Sequence, residues 1–211
     1  MKIKSITVGI IGTNCYLVEE KGFSAVIDPG ENPAFIDKAI KETLPSGPTH
    51  IILTHSHFDH VGALNAIHKL YPKALIAVSE KAELSTELIK NQAKNLIGSF
   101  YTSTCFGKAD FELPQPDIFL KDKDILGPFE VLYTPGHTMD SICLYDHEED
   151  LLFSGDTLFC GSYGRTDLGG SLEDMKASLS KLFRLPQDTR VLPGHGEDTT
   201  IGDEQQLLFV I

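Results

Sequence analysis

Thr54-His55-Ser56-His57-Phe58-Asp59-His60 follows directly on Ile51-Ile52-Leu53, and its reading decides how the rest of the chain is understood. Three imidazoles and a carboxylate within six positions suit neither a packed core nor an ordinary solvated turn. They suit a metal. Imidazole nitrogen and carboxylate oxygen are ligands that borderline cations such as zinc prefer, with Zn–N distances of about 2.0 Å. His55 and His57 are two apart, so in an extended turn they point the same way and can grip one ion. Asp59 and His60 then stand where they reach a second.

Three further candidate ligands lie downstream, each just beyond an apolar strand-like run. Val131-Leu132-Tyr133 leads into Thr134-Pro135-Gly136-His137-Thr138, Leu151-Leu152-Phe153 into Ser154-Gly155-Asp156-Thr157, and Val191-Leu192 into Pro193-Gly194-His195-Gly196. Strands fix positions rigidly, and ligands at strand ends can converge on one edge of a sheet assembly. Glycines beside His137, Asp156 and His195 let the backbone turn tightly. Five of the eight histidines are used in this way. Seven nitrogen and oxygen ligands suffice for two metals with open coordination positions. His50, His68 and His147 receive no role.

Around these motifs, short apolar runs at residues 3–8, 14–18 and 25–27 read as a β-meander, with Glu20-Lys21-Gly22 as a turn. Phe35, Ile36, Ala39 and Ile40 mark a helix that closes by Leu44. His50 to Leu53 forms a strand, Val61 to Tyr71 a helix that Pro72 ends, and Ala74 to Val78 another strand. A helix is expected over 80–98, with Leu84, Leu88, Ala93 and Leu96 as its apolar positions and Gly98 as its end. From Ser99 to Gln115 the pattern weakens into an aromatic-rich connection carrying Phe100, Tyr101, Phe106 and Phe111. Strands return at 118–120, 129–133, 141–145 and 151–153. Ser171-Leu172-Glu173-Asp174 resembles a capping box for a helix through Met175, Leu179 and Leu182. A strand at 190–192 precedes a polar tail carrying Leu207-Leu208-Phe209. Interleaved strands and helices argue for an α/β layered fold in one domain, 1–211, with a faint repeat of halves near 1–110 and 118–211.

The chain has 211 residues and a formal net charge of −12, which argues against nucleic-acid backbone recognition as its main task. Four cysteines, Cys15, Cys105, Cys143 and Cys160, form no C-x-x-C pair or regular framework, as expected of reduced thiols. No signal-like block opens the sequence, and no apolar run approaches the ~20 residues that span a bilayer. A cytoplasmic protein without membrane or nucleic-acid partners is expected.

Thr54 to His60, Pro135-Gly136-His137-Thr138, Gly155-Asp156-Thr157-Leu158-Phe159 and Pro193-Gly194-His195-Gly196 together resemble the metallo-β-lactamase-fold hydrolases. Within that superfamily the chain is similar to the glyoxalase II (hydroxyacylglutathione hydrolase) branch, in its short single-domain form. The resemblance implies a four-layer αββα sandwich with the metals at one edge, in the α/β (α+β) class. It assigns His55, His57 and His137 to the first metal and Asp59, His60 and His195 to the second, with Asp156 bridging. It implies two divalent ions per chain, zinc foremost, with iron and manganese suited to the same ligands. The activity implied is cleavage of a thioester, S-D-lactoylglutathione or a related acyl-thiol, by a metal-bound hydroxide that Asp59 helps orient. Arg165, in Gly161-Ser162-Tyr163-Gly164-Arg165-Thr166-Asp167, is expected to meet a substrate carboxylate, with Tyr163 and Phe159 as pocket walls. The alternative for Arg165 is an internal pair with Asp167 or the backbone. Asn14 and Tyr16 match a family segment and are read as structural, and Cys160 is read as buried or pocket-lining.

The sequence departs from full-length glyoxalase II, whose C-terminal helical domain supplies much of its glutathione pocket, because the chain stops sixteen residues after His195. The segment from Ser99 to Gln115 is the candidate substitute wall. Two other readings compete. A persulfide dioxygenase shares the Gly-Arg-Thr-Asp run and uses one iron, and a non-catalytic metal-dependent sensor or binding module would be expected to have lost a ligand.

Overall fold

The computed structural model describes residues 1–106 and 112–209, with the side chains of 100, 101, 103–106, 208 and 209 left aside. It resolves into two compact units, Met1–Val78 with Glu83–Phe119, and Ser79–Ala82 with Leu120–Ile211. These units resemble the two halves suggested by the sequence.

In the first unit, β1 (Lys2–Val8), β2 (Thr13–Glu20) and β3 (Phe23–Ile27) form the antiparallel meander. Lys21 and Gly22 both take positive φ at the β2–β3 turn, the geometry that matches the twist of paired strands. α1 (Pro33–Thr43) opens with proline, whose missing N–H costs nothing there, and buries Ile36, Ala39 and Ile40. β4 (His50–Ile52) runs parallel to β3, and β5 (Leu75–Ser79) runs parallel to β4. Between β4 and β5 lie α2 (Phe58–Val61) and α3 (Leu64–Leu70). After them come α4 (Thr86–Phe106) and β6 (Ile118–Leu120), which completes a six-stranded sheet of order β1-β2-β3-β4-β5-β6.

The second unit carries β7 (Ile125–Leu126), β8 (Phe129–Tyr133), β9 (Ile142–Asp146) and β10 (Leu151–Gly155). A small hairpin of β11 (Leu158–Phe159) and β12 (Ser162–Tyr163) follows, then α5 (Leu172–Leu182) and β13 (Arg190–Pro193). β14 (Thr199–Thr200), α6 (Ile201–Glu204) and a 3₁₀ turn (Gln205–Phe209) end the described chain. The sheet order is β14-β13-β10-β9-β8-β7. α5 is capped as expected, the Ser171 hydroxyl accepting from the Asp174 N–H at 3.2 Å. Its Met175, Leu179 and Leu182 join Leu132, Cys143, Leu152 and Val191 in one buried cluster.

Four expectations change. The helix expected over 61–71 is broken into α2 and α3, because the Ala63 N–H bonds the Pro29 carbonyl at 3.0 Å, outside any helix. The first helical segment of α4 ends at Gly98 as expected, with Gly98 at the non-helical φ 84°, but a second segment follows to Phe106, so the first part of the expected irregular connection is helical. The Gly98 carbonyl accepts from the Thr102 hydroxyl. Leu88 and Leu96 are exposed whereas Ile89 and Ala93 are buried, four apart on one face. Residues 107–111, and the side chains of Phe100, Tyr101, Phe106 and Phe111, lie outside what is described. The tail contributes a strand and a helical turn, and buries Leu207 in the α5 cluster. Among the described residues, no helix is long and apolar enough to cross a membrane.

Candidate metal centre

The motif that opened the sequence reading is built around an aspartate that the reading passed over. Asp28, the first residue beyond β3, takes a positive φ of 51°. Its carboxylate accepts from the Thr54 N–H at 2.8 Å, from the Thr54 hydroxyl at 2.7 Å, and from Nδ1 of His60 at 2.9 Å. A carboxylate only accepts, so His60 carries its proton on Nδ1 and presents the lone pair of Nε2. The Thr54 hydroxyl hydrogen is engaged in its bond to Asp28, so in the 3.1 Å contact with His55 Nδ1 the imidazole is the donor. His55 therefore also presents Nε2. Metal-binding histidines are commonly held in this way, with the other ring nitrogen donating to a carboxylate or carbonyl.

His55, His57, Asp59 and His60 are all buried. The His55 ring lies 4.1 Å from that of His60 and 4.9 Å from that of His57, centroid to centroid. α2 brings Asp59 and His60 into the same turn, with His60 Nε2 at 3.6 Å from Asp59 Oδ2. The Thr13 hydroxyl, at the start of β2, donates to Asp59 Oδ2 at 3.1 Å. Gly30 is required by packing, because a Cβ there would stand 2.1 Å from the Asp59 carbonyl oxygen.

In the second unit, strand ends supply the donors. His137 follows β8, and its Nδ1 donates to the Arg165 carbonyl at 2.7 Å, which again turns Nε2 outward. Asp156 is the first residue beyond β10, with Oδ2 lying 3.4 Å from His137 Nε2 and 3.5 Å from His195 Nε2. The Gly194 N–H bonds the Gly155 carbonyl at 2.8 Å, tying the end of β13 to that of β10. Gly164 leaves room for the chain, since a Cβ there would meet the Asp156 carbonyl at 1.8 Å.

In the first unit His55, His57, Asp59 and His60, and in the second His137, Asp156 and His195, are donors of the kinds that could hold an ion. The imidazole and carboxylate donors, with Nε2 presented at His55, His60 and His137, fit divalent transition-metal ions.

Arg165 is exposed and forms a two-pronged pair with Asp167, Nε to Oδ1 at 2.7 Å and the terminal nitrogen to Oδ2 at 2.6 Å. Hydrogen bonding from Arg165 holds the Asp167 carboxyl down to about 2. The internal-pair alternative for this side chain is thus seen, and the Arg165 backbone has the further task of fixing His137. Phe159 meets the His195 ring edge-on with centroids 6.0 Å apart, and Tyr163 packs against the α5 cluster. Cys160 is exposed in the turn of the β11–β12 hairpin, which corrects the buried alternative of its expected role and leaves the pocket-lining one untested. The three remaining histidines lie elsewhere: His50 stacks on Phe23, His68 is half-buried on α3, and His147 pairs with Glu130.

Asp28 and Thr13 are the residues that sequence reasoning missed. Asp28 stood in Asp28-Pro29-Gly30, which signals only a turn, and nothing local to Thr13 points forty-six residues on to Asp59.

The family model described as the metallo-beta-lactamase superfamily matches residues 8–195. The "Probable metallo-hydrolase YqgX" of Bacillus subtilis is 35% identical, over 97% of this chain and 95% of its own. The "Hydroxyacylglutathione hydrolase GloC" of Haemophilus influenzae is 33% identical, over 98% of this chain and 96% of its own. Among solved structures, TTHA1623 in a di-iron-bound form is similar with a TM-score of 0.79 and 35% identity, over 95% of this chain and 96% of its own.

Proposed function

The chain belongs to the metallo-beta-lactamase superfamily and has its mixed α/β fold, and from that premise we propose that it is a metal-dependent hydrolase of thioesters, acting on S-D-lactoylglutathione or a related acyl-thiol. The observation that carries the reading is the supply of seven buried or half-buried imidazole and carboxylate donors, four in the first unit and three in the second, whose chemistry suits divalent ions. The similarity to the Haemophilus hydroxyacylglutathione hydrolase supports the thioester. That relative is matched over 96% of its length, so the reading rests on the stretch of chain the two share.

We assign His55, His57 and His137 to one ion, Asp59, His60 and His195 to the other, and Asp156 to both. When bound, the ions supply Lewis acidity and lower the pKa of a bound water from 15.7 toward about 7. Asp59, held by the Thr13 hydroxyl, would help hold one ion and could orient an attacking water. Asp28, Thr54 and the Arg165 carbonyl keep Nε2 of three histidines turned to their task. The departing thiolate needs little proton transfer, because a thiol of ordinary pKa, about 8.5, is a good leaving group. Phe159 and Tyr163 wall the substrate. Arg165 receives a substrate carboxylate, and an exposed pair such as Arg165–Asp167 is readily exchanged for it.

Elemental analysis of native protein, paired with a substrate panel, tests this. The panel holds S-D-lactoylglutathione, other acyl-thiols, a β-lactam, and glutathione persulfide with oxygen uptake recorded. Two divalent ions per chain, zinc foremost, and thioester turnover that follows metal content are expected. One iron per chain with oxygen uptake on the persulfide overturns the reading, as does β-lactam cleavage without thioester cleavage.

A further inference from the structure

The stretch beyond His195 carries a buried carboxylate that the chemistry above does not use. Glu204, the last residue of α6, is 3% exposed. One oxygen accepts from the Gly161 N–H at 2.9 Å and the other from the Thr199 hydroxyl at 2.6 Å. Gly161 lies in the two-residue turn of the β11–β12 hairpin, whose whole ladder is Leu158 with Tyr163 and Phe159 with Ser162. A two-stranded ribbon this short has little stability of its own. Its base is held by buried Leu158, whose carbonyl accepts from Ser154, but Cys160, Gly161 and Ser162 at its tip are exposed. The Gly161 N–H bond to Glu204 thus ties the tip to the body of the unit, and a charged acceptor makes it a strong one. α6 is itself fixed, Ile201 fully buried and its N–H bonded to the Thr189 carbonyl, with the Gly202 N–H bonded to that of Gln187.

We propose that Glu204 is a positioning residue for substrate binding: it clamps the hairpin that presents Phe159 and Tyr163 and, through Thr199, joins it to the chain leaving His195. The inference rests on the assignment of Phe159 and Tyr163 to the substrate wall of a thioester hydrolase. Glu204 is not one of the assigned metal ligands, and its loss is expected to alter how substrate is held and to leave the ions in place.

Glu204→Ala removes both bonds. Glu204→Asp keeps the charge but withdraws the carboxylate from Gly161, and serves where the alanine variant does not fold. Glu204→Gln keeps an acceptor for Gly161 and a partner for Thr199. With the metal-loaded protein and S-D-lactoylglutathione, the alanine and aspartate variants are expected to raise KM about tenfold with kcat within about twofold, the pattern of lost uniform binding. Metal content stays at the wild-type value, and glutamine restores KM. Amide exchange over 158–163, slow in the wild type and with glutamine, becomes fast with alanine and aspartate. An unchanged KM in a folded, metal-loaded Ala or Asp variant overturns the proposal, as does a loss of bound metal that accounts for the defect. Absence of any thioester turnover in the wild type breaks the functional reading alone. The clamp is then judged by exchange, with lost protection at Gly161 supporting it and unchanged protection overturning it.

Discussion

His60 and His137 each present Nε2 because Nδ1 is already taken, but a buried side chain takes it in the first case and a main-chain carbonyl in the second. That contrast extends to the surroundings of each histidine. In the first unit one carboxylate, Asp28, gathers Thr54 and His60 and acts through Thr54 on His55. In the second, backbone ties between strand ends and loops set the positions, with Gly194 bonded to Gly155 and Arg165 to His137. A hub made of a side chain can be altered chemically without moving the chain. A hub made of backbone can be altered only by deforming it.

The two sets become equivalent where ligands themselves are removed, and this is the largest effect. His57→Ala in one unit and Asp156→Ala in the other are each expected to lower kcat by about three powers of ten or more, since groups that act as a unit fail together. Steady-state kinetics on the thioester, with metal content measured in parallel, decides it. A variant of either kind with near-normal turnover breaks the assignment of both sets to one centre.

Next in size are the glycines, where the two units share a device. Gly30 and Gly164 each lie against the carbonyl of a carboxylate ligand, Asp59 and Asp156 respectively. Alanine at either forces backbone apart from backbone, which has no rotamer to yield. A loss of roughly 3 kcal/mol is expected from such overpacking, read as a fall of about 10 °C in Tm. Equal losses at both sites sharpen the parallel. A tolerant Gly164→Ala would show that the second unit's backbone yields where its hydrogen-bonded ties suggest it cannot.

Asp28→Asn separates the units again. Asparagine accepts positive φ more readily than most residues, so the turn survives. Its amide still accepts from the Thr54 N–H, but an N–H₂ now faces donors where a carboxylate oxygen stood. The expected result is a 10–100-fold loss of metal affinity, the usual cost of losing such a partner, with Tm of the metal-free protein little changed. Competition with a chelator measures it. No single polar substitution in the second unit offers the same experiment, because its partner for His137 is a carbonyl.

The same difference explains what could be read from the sequence. Ligands are chosen for element chemistry, so seven of them announce themselves as residue types in a row or after a strand. Their supports are chosen for geometry. Asp28 looks like a turn residue, Thr13 like any strand threonine, and a carbonyl at Arg165 belongs to no residue type at all. Most strands were legible from apolar runs beside glycine, but β7, β11, β12 and β14 are too short to carry a pattern. Gly98 was legible as the end of a helix, but the second helical segment that begins beyond it was not, because the aromatic-rich run there carries no clear period. Glu204 illustrates the limit well, since its partners lie forty-three and five residues away and only the fold brings them to it.

The smallest expected effect concerns the two ends of β4, which begins with a histidine and delivers the ligands His55 and His57 just beyond its other end. His50 stacks on Phe23 with centroids 4.8 Å apart, and burial pushes its imidazole below the ordinary 6.5. Above pH 6.5 it is neutral in both folded and unfolded chains and pH does not matter. As pH falls below 6.5 the unfolded chain takes up the proton first, so stability declines until the lowered folded value is reached, and is flat beyond it. His50→Phe keeps the stack and cannot titrate. The Tm difference between variant and wild type should therefore shift in the variant's favour between pH 7 and pH 5. A chelator will move both curves, because the ligand histidines lose their ion, but it should leave their difference unchanged. If chelation abolishes the difference, His50 senses the metal after all, and the division of labour along β4 is lost.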